Sequence, residues 1–353
     1  MKNVLFFFSS TVVGGAETNI LKISRELTKT GYKVFWAVLV DDGPLFEKID
    51  FELAGKIEVG LFYKKPIKFL KAYKCFVKTN DIAIVFNFGL RVEIISRLIS
   101  KRIGIKKIIS NIRSTDDWRK WHHVLLDKST HSTVDLWVSN SIAGKLAFIK
   151  RENIPSNKVE IIYNFFEPLE SQPPLKKNSS GLINIGVLAN ITKQKGYFDL
   201  IPLAKQLNSL NFNYRFIYAG TNKLDGAFER EIANHGLQDK FEYLGYITKK
   251  SDFFAKTDIF LLPSYLEGMP TVILEAMAHN KPVISTNIGG IPEIINNGIN
   301  GYLCAPGDIN AFAQALIKIN ELGSGFLTKN AELTLKAFSK DVIMRKWLSV
   351  INS

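Results

Sequence analysis

The chain has 353 residues, room for two or three globular units at roughly 100 to 200 residues each. Hydrophobic residues make up 46% and charged ones 22%, a balance that excludes collagen-like, low-complexity and disordered classes. The net charge of +13 is uneven: residues 1–150 hold 25 Lys and Arg against 14 Asp and Glu, and residues 151–353 hold 21 against 19.

Cys75 and Cys304 are far apart and have no Cys or His beside them, so neither a disulfide framework nor a zinc knuckle is expected, which fits a reducing cytoplasm. No run of about 18 apolar residues occurs, so no membrane-spanning helix is expected. The apolar run Val4 to Phe8 is shorter than the roughly 7 to 15 residues of a signal sequence and reads as part of a buried first strand, Val4 to Ser9. Further strands are predicted at 33–39, 82–88, 107–112, 136–140 and 159–163. A helix from Glu17 to Thr30 puts Ile20, Ile23 and Leu27 on one face and stops at Gly31, and Ser141 caps another over 142–151. Between the second and third strands Lys64, Lys68, Lys71, Lys74 and Lys78 recur three or four residues apart, interleaved with Ile67, Leu70, Tyr73, Phe76 and Val77. That is a basic amphipathic helix pattern. A second cluster follows at Arg97, Lys101, Arg102, Lys106 and Lys107. An anionic membrane surface is the partner such charge fits. Nucleic acid is the weaker option, since no helix-turn-helix, RNP-type or zinc-finger pattern accompanies it. A merely solvated helix face is the plain alternative.

Residues 168–181 are polar, carry three prolines and show no periodicity, so they read as a linker. The alternation then restarts, with strands predicted at 183–188, 214–219, 241–246, 259–263 and 282–286. The expected organisation is therefore a doubly wound α/β domain over 1–167, the linker, a second such domain over 182–330, and a C-terminal stretch, 331–353. That stretch is expected to be one helix, with Ile343, Trp347 and Val350 on one face, that returns to pack against the first domain. Sheets of this kind bind ligands beyond the carboxyl ends of their strands, so two facing each other would form a cleft.

Neither G-x-G-x-x-G nor the P-loop pattern occurs, and no D-x-D supports a metal site built on paired aspartates. The informative phrase runs from Pro263 to Ala278: a buried strand, the turn Glu267-Gly268-Met269, then Pro270 and a helix. Proline suits the first helical turn. The N–H groups of Thr271 and Val272 at the positive helix end can hold a phosphate, and Glu275, one turn on, leans back toward it. Either glutamate alone would be an ordinary surface charge. With Lys281-Pro282-Val283, Gly289-Gly290-Ile291-Pro292-Glu293 and Asn300-Gly301 following in order, the phrase resembles the E-x7-E signature of family 4 retaining glycosyltransferases, which have the GT-B fold: two Rossmann-like domains facing a cleft.

The resemblance extends along nearly the whole chain. Gly14-Gly15-Ala16-Glu17 looks like the family's G-G-x-E turn, where Gly15 would let backbone approach the donor phosphate or the acceptor. The loop from Ala189 to Gly196 resembles the family's G-R-L-x-x-x-K-G, so Lys195 lines up with the lysine that pairs with the donor diphosphate, and Asn190 replaces an arginine. Many relatives carry a histidine where this chain has Arg113, which is the candidate replacement for orienting the diphosphate or an anionic acceptor. His122 and His123 follow at a loop and read as an exposed or packing pair.

The resemblance implies transfer of a hexose, with retention, from a nucleotide-diphosphate sugar such as a UDP-sugar. The acceptor would be a hydroxyl of a glycan or polyprenyl-diphosphate-linked substrate in bacterial surface polysaccharide or lipopolysaccharide synthesis. Glu267 would contact the hexose and Glu275 the ribose, while Gly268, Met269, Thr271, Val272, Asn190 and Lys195 would complete the donor site without a metal or other cofactor. The basic first domain would hold the acceptor, peripheral on the inner face of the cell membrane, with no nucleic acid involved. Two rivals share these residues: a GT-B sugar-nucleotide epimerase or hydrolase, and a non-catalytic basic module for membrane or nucleic acid.

Overall fold

The computed structural model describes residues 3–60, 62, 64–115, 119–167 and 181–353. All of the expected linker except Gly181 lies outside them. The chain divides into two compact units, Met1–Asn164 with Ile343–Ser353, and Phe165–Val342.

The first unit has seven parallel strands, β1 (Asn3–Ser10), β2 (Lys33–Val40), β3 (Gly55–Glu58), β4 (Ile84–Phe88), β5 (Lys107–Ile112), β6 (Leu136–Ser139) and β7 (Val159–Ile161), in the order β3-β2-β1-β4-β5-β6-β7. Residues Val4 to Phe8 are buried without alternation, the mark of a parallel strand covered on both faces. Its helices are α1 (Gly15–Lys29), α2 (Pro66–Thr79), α3 (Leu90–Ile103), α4 (Trp121–Lys128) and α5 (Ile142–Glu152). The Ser141 hydroxyl accepts from the Gly144 amide at 3.0 Å, the expected cap of α5. One face of the sheet packs against Phe69, Tyr73 and Val77 of α2, Val92 of α3 and Phe148 of α5.

The second unit repeats the plan with six parallel strands, β8 (Ile183–Leu188), β9 (Tyr214–Ala219), β10 (Phe241–Tyr243), β11 (Ile259–Leu262), β12 (Val283–Thr286) and β13 (Tyr302–Cys304), in the order β10-β9-β8-β11-β12-β13. Its helices are α6 (Leu200–Ser209), α7 (Ala227–Asn234), α8 (Lys250–Lys256), α9 (Thr271–Ala278), α10 (Ile309–Leu322) and α11 (Gly325–Ala337). In both sheets the strand order reverses beside the first strand, which sets topological switch points between β1 and β4 and between β8 and β11.

The structure departs from expectation in three places. The C-terminal stretch is two helices, because α11 ends at Ala337 and α12 (Lys340–Asn352) follows after Phe338 and Ser339. Only the residues from Ile343 on join the first unit, where Trp347 meets Phe86 edge to face and Lys107 donates to the Val350 carbonyl at 2.6 Å. On α2 the buried face is Phe69, Tyr73 and Val77, whereas Ile67 is 81% exposed and Leu70 also faces out. The lysines therefore share their face with exposed apolar residues.

The second basic cluster loses its key member. Arg97 is fully buried, bonded to Glu93 (3.0 Å), to Ser110 (3.1 Å) and to Asp127. Arg119 takes the other Asp127 oxygen at 2.6 Å. Against the upward push of burial, His131, Arg97 and Arg119 hold the Asp127 carboxyl well below the usual range. Asp127, His131 and Glu152 are also the one group among the described residues close enough to share a cation, but guanidinium groups already occupy both Asp127 oxygens. The cluster neutralises buried charge in the first unit's core. Lys101, Arg102 and Lys106 are exposed, and Lys101 pairs with Asp135.

Candidate active site

Two loops leave the carboxyl ends of the strands flanking the second unit's switch point, 189–196 after β8 and 263–270 after β11. Gly196 has φ +70, and a Cβ there would lie 2.0 Å from the Pro263 carbonyl oxygen. Only glycine permits that approach. The Tyr265 amide donates to the Gln194 carbonyl at 2.8 Å and locks the two loops together.

On this frame Lys195 and Glu267 meet. The Lys195 ammonium lies 2.6 Å from Glu267 Oε1, which also accepts from the Ser264 hydroxyl at 2.8 Å. Behind them the Thr286 hydroxyl donates to the Ser264 carbonyl at 2.7 Å. The turn is held from a third side by Gly289 and Gly290. A Cβ on Gly289, φ +51, would lie 2.0 Å from the Glu267 carbonyl oxygen, and the Gly290 amide donates to the Gly268 carbonyl at 2.7 Å. One carboxylate is thus fixed by a cation, a hydroxyl and its own backbone.

Gly268 is half-buried and Met269 buried. Pro270 caps α9 rather than entering its first turn, and Thr271 and Val272 open the helix. Amides at such positions precede the first intrahelical bonds and face outward. Glu275 lies one turn on, its side chain 10% exposed, with both carboxylate oxygens taken by Lys250 at 2.8 and 2.7 Å. Asn190 is exposed on the first loop. The structure therefore gathers Lys195, Glu267, Gly268 and the start of α9 at one switch point. Sequence reading missed Ser264 and Lys250 as their partners. Ser264 could have been found three residues before Glu267, whereas nothing in the sequence couples Lys250 to a residue 25 positions away.

Within the first unit, the loop after β1 leads through Gly14 and Gly15 into α1. A Cβ on Gly15 would meet nothing within 4 Å, so the space before this backbone is open. Arg113 follows β5 and donates to Asn164 at 2.9 Å. Burial lowers its pKa to about 10, partly offset by Glu17. Burial also raises Glu17, against the pull of Arg113. The His122 and His123 rings meet edge to face with centroids 4.2 Å apart, and the His123 ring accepts from the Lys120 amide, so this pair serves the start of α4. The α2 lysines, Lys68, Lys71, Lys74 and Lys78, are exposed, and Lys64 lies exposed just ahead of the helix.

Paired Rossmann-like units, the second of which gathers a lysine, a glutamate and a helix start at its switch point, define the architecture of GT-B glycosyltransferases. Residues 172–334 match the model of the family described as glycosyl transferases group 1. The amylovoran biosynthesis glycosyltransferase AmsK of Erwinia amylovora is 27% identical over 47% of this chain and 43% of its own. The capsular polysaccharide biosynthesis glycosyltransferase CapH of Staphylococcus aureus is 27% identical over 83% of this chain and 84% of its own. The alignment thus spans less than half of the first relative and most of the second. The solved structure of HepE from Anabaena in complex with UDP shares the fold, with a TM-score of 0.85 at 18% identity over 100% of both chains. The chain has the GT-B fold, and its residues 172–334 are similar to glycosyltransferases.

Proposed function

We propose that the enzyme transfers a hexose from a UDP-sugar, with retention, to a hydroxyl of a glycan or lipid-linked acceptor in the assembly of a bacterial surface polysaccharide. The observation that carries this reading is the convergence of Lys195, Ser264 and Glu267 beside the α9 start, with Glu275 one turn further on. A diphosphate at the α9 start would meet oriented amides and the Lys195 ammonium, fixed groups that stabilise charge as the leaving group departs. To take up that role Lys195 turns from Glu267 toward the phosphate, and Glu267 keeps Ser264 while it faces the sugar. Asn190 offers the phosphates neutral hydrogen bonds where relatives have a guanidinium. Its similarity to glycosyltransferases of amylovoran and capsule biosynthesis, and the UDP bound to the similarly folded HepE, support the substrate class.

The reading is tested with a panel of sugar nucleotides, following thermal stabilisation and then transfer to acceptor. A ligand at a hundred times its dissociation constant adds about 2.7 kcal/mol of stability, a readily measured shift. Glu267→Gln should mainly lower kcat and Glu275→Gln should mainly raise the donor KM, the contrast between transition-state and uniform binding. Equal, small effects from both would reduce them to structural residues. Sugar nucleotide consumed at the same rate with and without acceptor would favour the hydrolase or epimerase instead.

Metal independence belongs to the same proposal, because lysine and helix-end groups can carry the phosphate charge and the sequence has no D-x-D. Turnover should survive EDTA, and activity lost on chelation and restored by manganese or magnesium would overturn it. The first unit is proposed to dock on anionic membrane through the α2 lysines. No helix among the described residues is long and apolar enough to cross a membrane.

A further inference from the structure

Lys250 opens α8 and reaches Glu275 on α9, donating to both carboxylate oxygens at 2.8 and 2.7 Å. One turn further along each helix the contact repeats, with Phe254 stacked on the His279 ring at 4.6 Å. Residues 250 and 254 thus face residues 275 and 279 turn for turn, so the helix that carries Lys250 is held beside Glu275 by the Phe254–His279 stack as well as by the ion pair. Burial lowers the His279 pKa to about 4, so at neutral pH that imidazole carries no charge. Lys281, the other nearby cation, is itself buried beside Asp258. Among the described residues Lys250 is therefore the one cation bonded to the Glu275 carboxylate.

The pair is sided. The Glu275 side chain is 10% exposed and that of Lys250 45%, so the ammonium covers the carboxylate from solvent. A carboxylate has about four lone-pair sites and an ammonium three N–H donors. With two bonds between them, the carboxylate keeps acceptor sites for two hydroxyls and the ammonium keeps one donor on its exposed side. A cis-diol uses that set fully: both hydroxyls donate to Glu275, and one of the hydroxyl oxygens accepts from Lys250.

We propose that Lys250 is a positioning residue for Glu275 and that the pair reads the ribose cis-diol of the donor nucleotide, selecting ribonucleotides over 2′-deoxyribonucleotides. This rests on the reading of Glu275 as the ribose-binding glutamate. It assigns to Lys250, a residue outside the signature phrase, the orientation of that carboxylate and part of the sugar-ring selectivity.

The test compares UDP with 2′-deoxy-UDP by calorimetry on the parent, Lys250→Met, Lys250→Arg and the double variant Lys250→Met with Glu275→Gln, each first shown to be folded by its thermal transition. Hydrogen bonds to charged groups of this kind correspond to about ten- to hundredfold in affinity. The parent should prefer UDP by at least about tenfold. Lys250→Met should lower UDP affinity by about tenfold and leave 2′-deoxy-UDP nearly unchanged, so that the preference collapses, and Lys250→Arg should restore most of it. With acceptor present, Lys250→Met should raise the donor KM with kcat within about twofold of the parent, since ribose binding is uniform along the reaction. The double variant removes the unpaired buried carboxylate and should show the same lost preference, which separates recognition from instability. If the parent binds UDP and Lys250→Met keeps the parent's preference for the ribonucleotide, Lys250 has no such role and the donor reading of Glu275 stands. A parent that binds none of UDP, GDP or ADP overturns the nucleotide reading and this inference together.

Discussion

At the scale of single residues, the second unit keeps a histidine neutral in its interior. His279 is 3% exposed, and neither of its ring nitrogens has a hydrogen-bond partner among the described residues. Its pKa falls from 6.5 to about 4, chiefly through burial and then through the charge of Lys281, with Glu275 opposing. The unfolded chain protonates this ring near 6.5 while the folded chain does not until about 4, so between those values the unfolded state binds more protons. The His279 contribution is therefore fully present above about pH 6.5 and is lost as the pH falls toward 4. The thermal midpoint should decline over that window, and His279→Leu, which keeps the stacking volume without the titration, should flatten the decline. An unchanged slope in the variant would mean that the ring is protonated within the fold.

At the scale of elements, the strands of the second unit were the most legible part of the sequence. Buried β-branched and aromatic runs bounded by turn residues placed β8, β9, β11 and β12 to within a residue, because strands covered on both faces of a parallel sheet have no room for polar residues. The short β3 and β13 were missed. Each has only three or four residues and half-exposed positions, too few to show a period. The helix phase of α2 was misread for a related reason: Ile67 and Leu70 are as apolar as Phe69 and Val77, and only the packed structure shows which set is buried. The signature phrase pointed to Glu267 and Glu275, and the loop from Ala189 to Gly196 to Lys195, but pairs such as Lys250 with Glu275, or Arg97 with Asp127, join residues distant in sequence and leave no local pattern. Glycines were legible as turns, though not by consequence. Gly15→Ala meets open space and should leave stability unchanged. Gly289→Ala places a methyl 2.0 Å from the Glu267 carbonyl oxygen in a left-handed conformation, strain of about 1–3 kcal/mol. In a unit of this size that corresponds to a fall in Tm of roughly 3–10 °C, with turnover lowered further as the Glu267 turn shifts. Equal Tm values for the two variants would show that the loop around Gly289 yields freely.

At the scale of the molecule, the net positive charge lies almost wholly in the first unit, whose helical layer also exposes apolar side chains. Helices α2, α3 and α5 pack on one face of the first sheet, with α4 against α3 and α5. Across this layer the α2 lysines are exposed, and so are Ile67 (81%), Trp121 (77%), Leu125 (61%) and Leu146 (60%). Lysines near an anionic bilayer each contribute about 1 kcal/mol before screening, and an aromatic ring beside apolar side chains suits the headgroup boundary. Binding to anionic liposomes should therefore be reversible and should fall steeply with salt, since the Debye length is only about 8 Å at physiological ionic strength. Neutral liposomes should bind far less. Replacing Lys68, Lys71, Lys74 and Lys78 by Gln should release the protein and leave hydrolysis of the sugar nucleotide intact, because the proposed donor residues Lys195, Glu267 and Glu275 all belong to the second unit. Trp121→Ala should weaken binding at high salt more than at low salt, because its contribution is apolar and unscreened. If the quadruple variant sediments with liposomes as the parent does, the lysines are a solvated helix face; tight, salt-sensitive binding to DNA with no preference for lipid would instead assign the charge to nucleic acid.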